Sequence, residues 1–168
     1  MKSIKILETD RLYLRRMTIE DAENAYLLNL DLEVIQYTGD DSFESIEVAR
    51  QFLANYRHYD LHDFGRWAVI AKDKDEFLGW CGLKYTPELD EYDIGFRFSK
   101  KHWNKGYATE AAQACIDLGF NHYKLSTIVG RARTENIGSI RVLEKIGLTY
   151  SGDFDFEGNE GVVYVIKR

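Results

Sequence analysis

The chain has one proline, two cysteines and four histidines, and fewer basic residues than acidic ones. Each scarcity excludes something. With Pro87 alone among 168 residues, no proline-rich linker divides the sequence, and no repeat or low-complexity tract does either, so one domain spanning 1–168 is expected. Cys81 and Cys115 make neither a metal-ligand spacing nor a disulfide framework, and their apolar contexts, GWCGL and AQACIDLGF, suit core packing. His58 and His62 lie four apart beside Asp60 and Asp63 but lack a clear third ligand, so they are read as rim histidines and no metal is expected. No stretch approaches the ~18 consecutive apolar residues of a membrane helix. Lys2, Lys5, Glu8, Asp10 and Arg11 interrupt any apolar leader, which leads to the expectation of a cytoplasmic protein that meets no membrane. Lys and Arg number 22 against 28 Asp and Glu, a net charge of -6, so the basic field needed for a nucleic-acid partner is missing.

What is plentiful is aromatic: eleven Tyr, nine Phe and three Trp, enough to line a core or a cleft. Ile6–Arg15 reads as a first strand, with Leu7, Leu12 and Leu14 between basic residues. Thr18 and Asp21 open a helix to about Leu30, and Ser45 opens another on which Ile46, Ala49, Phe52, Leu53 and Tyr56 recur at helical period. Segments 67–71 and 77–85 form a hairpin, with Trp67 and Trp80 read as core residues, and 91–98 is a further strand. A helix starts near Gly106, a strand covers 126–133, a helix runs from Asn136 to Lys145, and strands 149–156 and 161–167 close the chain around EGNEG. This order predicts an α+β fold, a mixed and mostly antiparallel central sheet flanked by about four helices, rather than the strict βαβ alternation of a doubly wound nucleotide fold.

KHWNKGYATEAAQA, residues 100–113, passes from a polar loop into a helix, and a helix start leaves about four N–H groups without intrahelical partners. With the positive end of the dipole they form an anion site. Gly106 and Ala108 keep the approach free of bulk, Thr109 offers a hydroxyl, and no acidic residue occupies 100–109. A plain helix start fits the same residues, and neither P-loop nor dinucleotide fingerprint is present.

WNKGYATEA resembles motif A of the GCN5-related N-acetyltransferases (the GNAT superfamily). Trp103, where the superfamily usually has Gln or Arg, resembles the branch that acetylates the N-terminal alanine of ribosomal proteins. ETDRLYLRRMTIEDA (8–22), YDIGFRF (92–98) and NIGSIRVLEKIGL (136–148) are similar to the family's first strand and helix, its fourth strand and its motif B. The resemblance covers nearly the whole chain and implies acetyl-CoA as cofactor and an amine as acceptor, either a protein N-terminus or a small molecule. It implies that Trp103 and the backbone of Asn104, Lys105, Gly106, Tyr107, Ala108 and Thr109 hold the pyrophosphate. Phe96 and Phe98 would meet the pantetheine arm through their main chain, where two parallel strands splay, while also serving as core aromatics. Asn136 and Ser139 would touch the cofactor and Lys145 its nucleotide end. On residue pattern alone Asn136 is a helix cap, and Arg141 with Lys145 a solvated stripe.

The implied chemistry is direct attack of the amine on the thioester in a ternary complex. Asp93 or Glu91 would be the base through water, unless they are ordinary strand carboxylates. Leu143 replaces the tyrosine that many members use as acid, which leaves Ser139, with Tyr92, Tyr107 and Tyr123 as further candidates. The same departure supports an alternative, a non-catalytic sensor of CoA or acyl-CoA. The acceptor groove is expected between the 36–45 loop, the 57–66 segment and the last hairpin, and a homodimer is compatible with the resemblance.

Overall fold

Leu12 and Leu14 alternate with Tyr13 and Arg15, and both leucines are wholly buried in the computed structural model, which describes residues 3–168. That alternation belongs to β2 (Leu12–Arg15), which folds back on β1 (Lys5–Glu8). The expected single strand 6–15 is therefore two, because Thr9 turns the chain by donating Oγ1 to Glu110 and its N–H to Leu12 O. Six further strands follow: β3 (Arg66–Ala71), β4 (Glu76–Thr86), β5 (Glu91–Phe98), β6 (Thr127–Arg133), β7 (Thr149–Phe156) and β8 (Asn159–Lys167). They form one mixed, mostly antiparallel sheet in the order β1-β2-β3-β4-β5-β6-β8-β7. The last hairpin turns tightly at Glu157 (φ 50) and Gly158 (φ 94), the two left-handed residues of a type I′ turn, so β8 begins two residues earlier than expected.

The α-helical segments among the described residues are the four expected with two short additions: α1 (Ala22–Leu30), α2 (Leu32–Ile35), α3 (Ile46–Ala54), α4 (His58–His62), α5 (Tyr107–Asn121) and α6 (Ile137–Lys145). The extra two, α2 and α4, are single turns. Ser45 caps α3 by accepting from Val48 N at 3.2 Å. α1 is entered through a capping box in which the buried Asp21 accepts from Thr18 N. Its carboxylate also takes a two-pronged bond from Arg15 at 2.7 and 2.8 Å, which pins the helix entrance to β2. Removing one partner of so buried a pair costs about 3 kcal/mol or more.

α5 covers the sheet face that carries Cys81, Leu83, Ile94 and Phe98, all buried, and Cys115 Sγ lies 3.8 Å from Cys81 Sγ. The two thiols are core atoms, as their sequence contexts suggest. On the opposite face α1 and α3 stand over Trp80, Gly95 and Arg97. That face is polar, and the hollow beneath the helices is the cavity described below. Among the described residues no helix is long and apolar enough to cross a membrane.

Candidate active site

β5 and β6 are the one parallel neighbouring pair among the described strands, and they are in register at a single place, Asp93 with Val129. On its other side β5 is paired with β4 without interruption from Glu91 to Phe98. Ser99 N donates to Leu78 O at 3.0 Å. The period of two in an antiparallel ladder then turns the peptide groups of Gly95 and Arg97 toward β4, and those of Phe96 and Phe98 toward β6. Past Asp93 no strand of the sheet meets them there. Trp103 Nε1 takes Phe98 O at 2.8 Å; the Phe96 peptide and the Phe98 N–H open into the gap. Because the two strands are parallel and each is followed by a helix, the N-termini of α5 and α6 stand at the same end of that gap, where open sheets bind ligands.

The loop into α5 is curled. Asn104 (φ 60) and Gly106 (φ 80) are both left-handed, the kind of backbone that brings successive N–H groups to one side. α5 has no side-chain cap, and its first internal bond runs from Glu110 N to Gly106 O. The amides of Tyr107, Ala108 and Thr109 therefore lack helical acceptors. A Cβ on Gly106 would meet only Arg11 Nη2, at 3.3 Å, so glycine is required here for its positive φ rather than for close packing. Arg11 donates Nη1 to Lys105 O at 2.8 Å and Nε to Glu110 at 2.7 Å, and lies 4.4 Å over the Tyr107 ring. Burial works against a charge on Glu110, but bonds from Thr9 and Arg11 outweigh it and hold the carboxyl below its usual range. The acid in the first turn is thus offset by Arg11, whose guanidinium stands beside the free amides.

Arg11 and Glu110 were missed among the site candidates, though ETDRL belongs to a segment that carries the resemblance. The Asn136 side chain caps α6 by accepting from Ser139 N at 3.2 Å, which favours its reading as a cap. Lys145 is exposed at the far end of α6, roughly 13 Å from that cap by helical rise. Leu143 is 1% exposed and packs into the core, offering no hydroxyl.

A cavity of about 250 Å³ lies between the polar sheet face, α1, α3 and the 36–45 loop, lined by Leu28, Phe52, Tyr56, Arg66, Trp80 and Arg97 among others. The cavity borders two of the three segments expected to frame the acceptor groove, the 36–45 loop and, through Tyr59 and Arg66, the 57–66 segment, but α1 and α3, rather than the last hairpin, complete its wall. Trp80 is not a core residue. Its ring lies between two guanidinium groups, Arg66 at 5.5 Å and Arg97 at 5.2 Å. Arg66 lies flat on Gly95, where any Cβ would come within 2.6 Å of the guanidinium. It donates to Gly82 O at 2.7 Å and to the Asp93 carboxylate at 2.5 Å.

Asp93 therefore sits at the one paired position of the splay and is oriented by Arg66, which lines the cavity, although Asp93 itself does not. Glu91 is instead paired with Arg131 on β6 and does not line the cavity. Among the hydroxyls, Tyr123 donates to Asp63 O at 3.0 Å, and burial pushes it up to about 12. Tyr107 lies under Arg11, and Tyr92 packs on Tyr85 and Phe64. Tyr56, not singled out from sequence beyond its helical spacing, lines the cavity, accepts from Arg66 N at 2.9 Å and is raised by burial. His58 Nε2 accepts from Tyr85 N at 3.1 Å, and burial, then His62, push it down to about 4. No cluster able to hold a metal occurs among the described residues.

The family model described as the acetyltransferase (GNAT) domain matches residues 11–149. An uncharacterised N-acetyltransferase, p20 of Bacillus licheniformis, is 32% identical over 94% of this chain and 90% of its own length. The crystal structure of a GNAT-family acetyltransferase from Bacillus anthracis superposes with a TM-score of 0.83 at 31% identity, covering 99% of this chain and 98% of that one. A CoA complex of the RimL ribosomal L7/L12 alpha-N-protein acetyltransferase, at 15% identity and a TM-score of 0.84 over 97% of each chain, shares the fold. A match that runs from Arg11 through the splayed pair to the end of motif B, joined to relatives of near-equal length, places the chain in the GNAT acetyltransferase family.

Proposed function

We propose that this chain binds acetyl-CoA in the gap between β5 and β6 and transfers its acetyl group to an amine held in the cavity beside Trp80. The observation that carries the proposal is the single-register pairing at Asp93, with two helix N-termini at one end of the gap. The residues present fit the cofactor: the left-handed Gly106, the uncapped start of α5 and the cation of Arg11 suit a pyrophosphate, and the Phe96 peptide suits an amide-bearing arm. When bound, acetyl-CoA supplies an acetyl group activated as a thioester.

Asn104–Thr109 and Arg11 would hold the diphosphate, and Asn136 and Ser139 at the start of α6 would touch the cofactor. The Phe96 N–H would stabilise negative charge on an acyl oxygen. Asp93 would take the amine's proton through water at the oxygen that Arg66 leaves free, while Arg66 keeps the carboxylate oriented. Glu91, committed to Arg131, is the weaker of the two candidates. Ser139 or Tyr56 would return a proton to the departing sulfur. The cavity holds about one residue's worth of acceptor, which suits a small amine or the first residue of a protein N-terminus. Trp103 supports the ribosomal-protein branch only as far as holding Phe98 O.

Leu143, buried where many members carry a tyrosine, favours a second reading as a CoA or acyl-CoA sensor. The test is thiol release from acetyl-CoA across a panel of amines and peptides, with calorimetry of CoA binding alongside. Thiol release matched by acetylated product is expected; tight binding without turnover on any acceptor favours the sensor, and no binding overturns both.

A further inference from the structure

Arg97 is a buried cation on the cavity wall that the transfer chemistry leaves unused. Its side chain is 10% exposed. Nη1 donates to Asn29 Oδ1 at 2.8 Å, Nη2 to Asp40 Oδ2 at 2.6 Å, and the buried Nε has no partner. Its counter-charge comes from outside: the Asp40 side chain is 55% exposed on the 36–45 loop, whereas Arg66 is held by Asp93, which is 17% exposed. A buried guanidinium without an anion is strongly disfavoured, but one whose anion sits on a solvent-facing loop can exchange it for another carboxylate at the same Nη2 donor. Arg97 is two residues beyond Gly95 on the same strand face, roughly 7 Å along the strand. Asp93 itself is four residues from Arg97, roughly 13 Å along the strand, so a carboxylate on Arg97 and an amine reacting beside Phe96, with Asp93 acting through water, fit within one small molecule. A cationic acceptor could bind Asp40 and the neighbouring Asp41, both on the rim, but only by drawing Asp40 away from Arg97.

We infer that the acceptor carries a carboxylate as well as its amine, an amino-acid-like molecule, and that Arg97 selects it, with Asp40 holding the arginine until the ligand arrives. The amine half of this inference rests on the transfer reading; the carboxylate half does not.

The experiment pairs binding with turnover. Calorimetry compares N-acetyl amino acids of apolar side chain with their carboxamides, which cannot react. The carboxylates should bind at least tenfold tighter, Asp40→Asn should tighten them severalfold, and Arg97→Gln should erase the difference. Arg97→Lys, a smaller change should Gln fail to fold, should retain part of it. Carboxamides that bind equally well or better, no binding of either at millimolar concentration, or weaker carboxylate binding in Asp40→Asn would overturn the inference. Turnover with the matching free amino acids and amino-acid amides separates the two readings. Thiol release without carboxylate preference defeats this inference alone, and carboxylate-selective binding with no thiol release from any amine defeats only the transfer reading.

Discussion

Arg11→Met keeps an apolar stem over Tyr107 and removes the guanidinium beside Gly106. Two bonds are lost, to Lys105 O at 2.8 Å and to Glu110 at 2.7 Å. Glu110 keeps Thr9 Oγ1 and the Arg11 N–H, so no buried carboxylate is stranded. The Arg11 side chain is 46% exposed, which limits the ion pair to about 1 kcal/mol or less, and the carbonyl bond adds about as much. The expected loss of stability is roughly 1–2 kcal/mol, a fall in Tm of about 2–8 °C for a chain of this length. Losing one charge-assisted contact to a partly exposed phosphate should cost about 1 kcal/mol more in binding, raising the Kd for CoA about fivefold. The salt dependence of binding should flatten as well. Thermal melts and CoA calorimetry at low and high ionic strength check both halves. A lowered Tm with an unchanged Kd and an unchanged salt slope would make Arg11 a clasp between β1–β2 and α5 and refute its part in the cradle.

Gly106→Val places a branched side chain at φ 80, which costs roughly 1–2 kcal/mol, so it should lower Tm as well as CoA affinity; Ala108→Glu should weaken CoA about tenfold with little change in Tm, and an unaltered Kd in that variant would remove the cradle. Asp93→Asn should lower kcat about a hundredfold, while Glu91→Gln stays within a few-fold of wild type; melts run alongside, since Asp93 also neutralises Arg66. His58 is pushed from 6.5 down to about 4, chiefly by burial, so between those values the unfolded chain binds more protons than the folded one. Its contribution to stability is therefore full above pH 6.5, falls as the pH drops toward 4, and is constant below that. His58→Gln, which can still accept from Tyr85 N, should show a smaller fall in Tm between pH 7 and 4; an identical fall would exclude His58 as the source.

The features read correctly from sequence are those written in neighbouring residues. Ser45, Thr18 with Asp21, and Asn136 cap helices within three positions, and the helix start after Gly106 is likewise local. The two tryptophans went different ways because strand parity is set by register. β3 and β4 slip between Val69 and Ile70, and Trp67 lands opposite Cys81 in the core while Trp80 faces the cavity. The break at Thr9 shows in sequence only as a change of parity, Leu7 being odd and Leu12 and Leu14 even; Glu110, which holds the turn, comes from a distant helix. Arg11 beside Gly106, Arg97 with Asp40 and the cavity itself join segments far apart in the chain, and no local pattern announces them.

The single bridge at Asp93 and Val129 also makes the sheet a jointed object. Five strands lie on one side of it and three on the other, with α5 and the Glu91–Arg131 pair spanning the break. A cofactor arm that hydrogen-bonds to the Phe96 peptide would act as a stitch across that joint. Ligand binding would then stiffen two half-sheets into one, and the slowing of amide exchange on β5 and β6 would report occupancy even where no product is formed.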